Sequence, residues 1–426
     1  MSSLVSGRDF LQIRDAARML GVTEKTLRNW DRAGHLRAHR HPINGYRLYH
    51  ISDLHGLLGR LAELPEAPRP GPQQLALDLL GSDTPTQHTN AEEELAPCHW
   101  TRAVAMDPKH RPQKWDHPSS TVRRDWRKFP QEAHVLDSKE QRYRRFTAEE
   151  IALLQGFEPQ LIQLPELTER ERIGALGDAV PPPLARRLVS AITSVWSWTN
   201  RTSLEICAGA GGLAEGAAAC ELEHLLLIDA SPTCAKLLMH NRRWPRSIVV
   251  QGDVRKHDFS KLRDRVGLLS GGPPCQPWSQ SGLHGGDQDE RDLLGSMPEL
   301  IVQLRPEVFL FENVPGLAMF DEGVYLRQLI ERLRRPNHHL QYGVLAAMFN
   351  AADFGVPQIR NRIFIIGFRE APGLVANRCF DEMGKLMSHR DPATANGSVP
   401  VWRTISDALT GRDDPGGWRR WIGSNA

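Results

Sequence analysis

Four clusters in this 426-residue chain have side chains and spacings suited to chemistry. The first is Gly271-Gly272-Pro273-Pro274-Cys275-Gln276-Pro277, directly after the apolar run Val266-Gly267-Leu268-Leu269. A thiol there ends a buried strand and is a candidate nucleophile, provided the site removes the proton that a thiol carries near neutral pH. The second is Phe309-Leu310-Phe311-Glu312-Asn313-Val314, where Glu312 leaves an apolar strand and burial favours a carboxyl that shares or donates a proton. The third is Gln358-Ile359-Arg360-Asn361-Arg362, whose alternating guanidinium groups suit carbonyl and phosphate oxygens. The fourth is Ala208-Gly209-Ala210-Gly211-Gly212, a glycine-rich turn that lets backbone approach a ligand at a helix N-terminus. Taken singly, each has a plainer reading: a structural thiol, a helix cap, a solvated strand face, a tight turn. Their occurrence together and in order is what points to a reaction centre.

Elements must place these groups. From residue 202 the chain alternates short apolar runs with helical segments. Strands are expected at Ser203–Cys207, His224–Asp229, Ser247–Gln251, Val266–Ser270, Val308–Phe311 and Ile363–Gly367. That alternation predicts right-handed βαβ units in a doubly wound α/β sheet, with ligands beyond the carboxyl ends of the strands. Asp229 would end the second strand, where a carboxylate can take ribose hydroxyls, and Asp253 the third, where it can accept an adenine amino group.

In that order, these motifs resemble the DNA cytosine-5 methyltransferases, over about two-thirds of the chain (near 117–408). The resemblance implies a Rossmann-like domain that binds S-adenosylmethionine. Its cofactor residues would be Glu205, Ala208, Gly209, Gly211, Gly212, Asp229, Asp253, Val254 and Pro274, with Asp178 and Val180 from Gly177-Asp178-Ala179-Val180, which is similar to the family's last motif. Three positions depart from the family pattern. Cys207 stands where a Phe usually packs on the adenine. The usual Glu falls one position from Asp229. Asp178 replaces an Asn, setting a negative charge near the cofactor's carboxylate and its ammonium. Tyr143–Glu150 and Leu154-Gln155-Gly156-Phe157 match the penultimate motif, with His117–Val122 at its usual upstream position. These late motifs precede the catalytic ones here, so a circularly permuted order is expected, with a helix over Pro183–Thr193 feeding the first strand.

The implied reaction needs a nucleophile at cytosine C6 to make C5 enamine-like. Cys275 would add there. Glu312 would hold the exocyclic amine and N3, and Arg362, with Arg360, the base carbonyl oxygen and a nearby phosphate. The base must leave the helix to reach them. Ser279–Asp287, with Ser281 among its DNA contacts and Arg291 at its end, is the loop expected to close over it.

Residues 8–60 form a separate unit. "RDAARMLGVTEKTLRNWDRAGHL" followed by "NGYRLY" resembles the MerR-type winged helix-turn-helix. That implies a major-groove helix carrying Thr26, Arg28 and Asn29, and a wing carrying Arg47. Residues 61–116, rich in Pro, Gln, Thr and Glu, read as a linker with a short helix at Leu75–Leu80.

Composition sets the bounds. A net charge of +2 makes any double-stranded DNA surface local rather than global. The six cysteines (Cys98, Cys207, Cys220, Cys234, Cys275, Cys379) form no CxxC pair, so neither zinc nor any other metal is expected, and a reducing cytoplasm, bacterial or phage-derived and close to the nucleoid, is the simplest home. No signal peptide or membrane-crossing run is expected. Trp402–Leu409 matches the segment that in the family precedes a target-recognition region, yet only 17 residues follow Leu409. A second polypeptide could supply recognition, the winged helix could deliver the enzyme, or the gene could be truncated. The leading expectation is a restriction–modification methyltransferase, its winged helix either repressing its own promoter or targeting the enzyme to DNA. The rival is a DNA-binding transcriptional regulator with a non-catalytic methyltransferase body.

Overall fold

The computed structural model describes residues 10–13, 16, 27–28, 31, 36–40, 47–50, 112–125, 132–274, 292–371, 373–393, 395, 397 and 399–420. The chain divides into two units, residues 1–75 and 76–426. In the first, β1 (Phe10–Gln12), β2 (His39–Arg40) and β3 (Arg47–His50) form an antiparallel sheet in the order β1-β3-β2. Asp31 ties this unit together. It accepts from the Ala38 amide at 2.9 Å and pairs with Arg47 Nε at 2.7 Å. The Tyr49 hydroxyl donates to the Leu27 carbonyl at 3.1 Å. The wing arginine expected at Arg47 is therefore engaged within its own unit, and Arg28 is half-buried. Thr26, Asn29 and the helix expected at Leu75–Leu80 lie outside the described residues.

The second unit begins with β4 (Gln113–Lys114), β5 (His134–Asp137) and β6 (Arg142–Arg145), then α1 (Ala148–Gln155), α2 (Glu169–Asp178) and α3 (Pro182–Val195). Thr147 with Glu150 and Thr168 with Glu171 make reciprocal capping boxes that start α1 and α2. Pro182 and Pro183 start α3, where a missing amide hydrogen costs nothing.

Next come β7 (Thr202–Ile206), α4 (Gly212–Ala219), β8 (Glu223–Asp229), α5 (Pro232–His240), β9 (Val249–Gln251), β10 (Leu268–Gly271), α6 (Met297–Leu304) and β11 (Val308–Asn313). The unit closes with α7 (Gly316–Met319), α8 (Val324–Arg334), β12 (Tyr342–Asn350), β13 (Asn361–Arg369), α9 (Gly373–Lys385), α10 (Ile405–Leu409) and β14 (Arg419–Arg420). All six expected strands are present, with bounds moved by at most two residues. The sheet order is β12-β13-β11-β10-β7-β8-β9. At one edge the parallel order breaks: β13 runs antiparallel to both β11 and β12. Strand β12, YGVLAAMFN, was not expected; its small residues and weak alternation hide it. Strand β14 returns to β6, completing a small sheet in the order β14-β6-β5-β4.

Both faces of the large sheet are covered, as its continuous apolar strands require. Along β11, Phe309 and Phe311 enter the core under α6 and α8, while Val308 and Leu310 enter the core under α3, α4 and α9. Among the described residues no helix is long and apolar enough to cross a membrane.

Close backbone contacts join the early segment (112–195) to this sheet. A Cβ on Gly212 would fall 1.8 Å from the Val180 carbonyl oxygen, and one on Gly216 2.6 Å from the Ala185 backbone. The connection from α3 to β7 is clasped by buried Glu307, which accepts from the Thr199 and Asn200 amides at 2.9 and 2.6 Å and from Trp196 Nε1 at 3.2 Å. On the other side, residues 119–122 run beside 357–360: Ser119 N donates to the Pro357 carbonyl at 2.9 Å and Ile359 N to that of Ser119 at 2.8 Å. Fully buried Gln358 accepts from Val122 N at 3.0 Å and donates to the Leu154 carbonyl at 3.2 Å and to Gln155 Oε1 at 2.9 Å. Arg360 is also fully buried. Its guanidinium donates to the carbonyls of Val122 at 3.0 Å, Gly177 at 2.8 Å and Ala179 at 2.9 Å.

Three measurements check this account. Arg360→Met would leave three buried carbonyls without donors, and we expect a loss of about 3 kcal/mol in chemical denaturation; a midpoint equal to wild type would contradict the clasp. Gly212→Ala should cost about 2 kcal/mol or more, because α4 must move off Val180. His224, whose Nδ1 lies 2.6 Å from Ser203 Oγ, is held by burial at a pKa near 4 against 6.5 when free. The unfolded chain thus takes up a proton that the native state refuses. Stability is full above pH 6.5 and falls, by roughly 3 kcal/mol at most, as the pH drops towards 4. His224→Gln should flatten that slope, read from urea midpoints at pH 7 and pH 5.

Candidate active site

Strand β7 ends in Glu205-Ile206 and turns sharply at Cys207, a non-glycine residue with φ +47. Such a conformation disfavours a side chain and persists only where surrounding structure enforces it. The enforcement comes from Asp229 at the end of β8. One carboxylate oxygen accepts from Gly209 N and the other from Ser231 N, both at 2.8 Å. Asp229 therefore builds the turn as well as bordering it. Around Gly209, which has φ +56, a Cβ would meet nothing within 4 Å, so open space adjoins the turn. Gly212 does something else: its missing Cβ admits Val180, and Gly211 caps α4 with φ +85.

Carboxylates surround this space. Glu205 is buried, and its Oε2 has no hydrogen-bond partner. Burial, then the neighbouring Asp229 charge, push its pKa well up. Asp253 begins the short turn at Val254, and both its oxygens are bound by Arg255, which holds its pKa down. The Cys207 thiol feels Asp229, Asp253 and Glu205; burial first, and then these charges, drive its pKa far up, so it is no nucleophile. Asp178 ends α2 and pairs with Arg124 Nη1 at 3.1 Å, while the Val180 backbone abuts α4. Among the described residues no cluster of His, Cys, Asp and Glu is arranged to hold a metal ion.

A second group lies at the same carboxyl edge. Glu312 near the end of β11 and Arg362 near the start of β13 meet with Oε1 2.7 Å from Nε, their side chains only 9% and 11% exposed. The antiparallel register, which pairs Glu312 with Phe364 and Asn313 with Ile363, sets them diagonally on one face. Asn313 Nδ2 donates to the Pro273 carbonyl at 3.0 Å, and a Cβ on Gly272 would lie 3.2 Å from Glu312 Oε2. The backbone leading to Cys275 is thereby held against the pair. Exposed Pro274 accepts from Leu293 N at 3.2 Å. Cys275 and Ser281 lie outside the described residues.

The structure thus brings Glu312, Arg362 and the Pro273–Pro274 backbone together. It does not bring Arg360 to them: that guanidinium, expected to assist Arg362, is spent on three main-chain carbonyls and has no exposed surface. Sequence reading missed Asn313 and Gln358 as positioning groups, although both lie inside the recognised motifs. It also missed Arg124 and Glu307, for which no local signal exists.

The open space fits a cationic donor carrying a ribose. Orphaned Glu205 Oε2, the uncluttered Gly209 backbone and the Asp229 and Asp253 carboxylates supply acceptors there.

Comparison with known proteins agrees. The profile of the C-5 cytosine-specific DNA methylases matches residues 58–194 and 202–395, and that of the MerR family regulatory proteins matches residues 12–49. Type II methyltransferase M.NgoMIV of Neisseria gonorrhoeae is 36% identical over 168 residues, 39% of this chain and 52% of that protein. M.PspPI of Psychrobacter is 39% identical over 39% of each chain. M.AquIA of Picosynechococcus is 30% identical over 39% of this chain and 71% of its own length. The chain spans about half or less of the length of the first two relatives. With the family profile covering most of its length, and with the motifs converging on one edge of the sheet, the chain belongs to the C-5 cytosine-specific DNA methylase family.

Proposed function

We propose that this protein is a DNA cytosine-5 methyltransferase of the restriction–modification type (EC 2.1.1.37), acting on a cytosine turned out of double-stranded DNA. The observation that carries this reading is the buried Glu312–Arg362 pair, 2.7 Å apart and tethered through Asn313 to the backbone before Cys275. An acid and a guanidinium on one face match the two edges of cytosine that gain charge when C6 is attacked.

Cys275 gives up its proton and its sulfur adds to C6. Electron density moves towards N3 and the ring carbonyl. Glu312 holds N3 and the exocyclic amine, and Arg362 turns its donors to the carbonyl oxygen. S-adenosylmethionine, when bound, supplies an electrophilic methyl group to C5. Water then takes the C5 proton, the C5–H electrons restore the C5–C6 double bond, and the C6–sulfur bond breaks to release the Cys275 thiolate. Glu205, Asp229, Asp253 and the Gly209 turn would hold the donor's nucleoside, with Ala208, Gly211 and Val254 beside them and Val180 closing the pocket. Arg360 acts at a distance, by fixing the strand that presents Arg362.

We also infer a circularly permuted order, in which residues 117–195 supply motifs that elsewhere follow the catalytic ones. The Val180–Gly212 contact and the Glu307 clasp support it, since both join that segment to the cofactor half within one chain. The N-terminal unit, with its MerR-type match, would deliver the protein to DNA. A second polypeptide would contribute to recognition of a target sequence.

The test is expression of the whole chain in a bacterium free of DNA methylation, with genome-wide mapping of 5-methylcytosine. Methylation at one short sequence is expected, abolished in Cys275→Ser and reduced by about 100-fold or more in Glu312→Gln. If only co-expression with a neighbouring reading frame restores it, recognition lies in a second polypeptide. DNA binding with no methylation in any combination would leave the non-catalytic regulator.

A further inference from the structure

We propose that Arg124 and Asp178 together receive the zwitterionic amino-acid end of the methyl donor, Asp178 taking its ammonium and Arg124 its carboxylate. This rests on the reading of the chain as an S-adenosylmethionine-dependent enzyme and assigns a residue, Arg124, that lies outside every recognised motif.

The backbone around Asp178 is immobilised on three sides. Arg360 Nη2 binds the carbonyls of Gly177 and Ala179 at 2.8 and 2.9 Å, on either side of Asp178. The Val180 carbonyl rests on Gly212. Gly177 lies so close to the 123–124 backbone that a Cβ there would fall 2.4 Å from Arg124 N. Main-chain packing therefore delivers Arg124 beside Asp178, and their 3.1 Å ion pair follows without a search by two long side chains.

The pair is also accessible. The side chains are 72% and 47% exposed, unlike the nearly sealed Glu312–Arg362 pair. An ion pair so exposed adds little to stability. Its position is more telling: two residues on, the Val180 carbonyl abuts Gly212 of the glycine turn, which sets Asp178 close to that turn.

Charge complementarity then decides the ligand. A carboxylate alone would attract an ammonium and repel the carboxylate bonded to the same carbon. Arg124 removes that repulsion. One of its five N–H groups serves Asp178, and the others can meet a second carboxylate.

The experiment is titration calorimetry on the full chain with S-adenosylmethionine and with 5′-methylthioadenosine, which lacks the amino-acid end. Wild type, Arg124→Ala, Asp178→Asn and the double variant would be compared. Arg124→Ala should weaken S-adenosylmethionine about tenfold or more and leave 5′-methylthioadenosine within about twofold. Asp178→Asn should likewise weaken S-adenosylmethionine and leave 5′-methylthioadenosine within about twofold, because the ammonium loses its acceptor. Unchanged S-adenosylmethionine affinity in Arg124→Ala, or an equal loss for both ligands, would overturn the assignment and leave the cofactor reading intact. Wild type that bound neither ligand would overturn both.

Discussion

A guanidinium buried without a carboxylate partner is the constraint on which the reaction centre depends. Arg360 has no exposed surface, and a charge in that position survives only if the protein replaces its water. It does so with three main-chain carbonyls drawn from two separate stretches, at Val122 and at Gly177 and Ala179. Main-chain acceptors cannot be moved without moving the elements that carry them. The loop at 122, the end of α2 and the start of β13 are thereby fixed as one body. Two residues along, Arg362 is presented to Glu312 from that body.

Glu307 does the same kind of work at the opposite edge of the sheet. Its carboxylate collects two amides and an indole N–H from the link between α3 and β7. The early segment is thus held at both ends, by a cation dressed in carbonyls and by an anion dressed in N–H donors. Glycines at 177, 212 and 216 let the intervening backbone come to contact distances at which a Cβ would collide. These devices explain how a pocket can be assembled from stretches over 180 residues apart in the chain, since each contact is short, polar or sterically exclusive.

The two halves of the centre are tuned differently. Around the glycine turn, burial first, and then the carboxylates at 229, 253 and 205, keep the thiol at 207 protonated. At the catalytic edge, one carboxylate is matched to one guanidinium and both are nearly sealed. Carboxyl acceptors around a glycine turn suit a ligand rich in donors, and a matched pair suits a neutral base that becomes charged only during reaction.

Much of this was legible before any coordinates. Six strands follow from short apolar runs separated by turn residues, because burial on both faces leaves no other pattern. Glu312, Arg362, Asp229 and the glycine turn could be named because each sits at a strand end, where chemistry in such sheets is placed. Strand β12 was not legible, since its small residues lack a period, and neither was the reversal of β13, because strand direction leaves no mark on apolar composition. The roles of the two arginines separate on tertiary grounds alone. Both carry the same side chain, two residues apart, and local sequence cannot tell which is dressed by carbonyls and which meets Glu312. Residue types and spacing determined which chemistry was available. The long-range packing of 119–124 and 177–180 against 357–360 decided which groups are free to perform it, because only neighbours distant in sequence can bury one guanidinium and present the other.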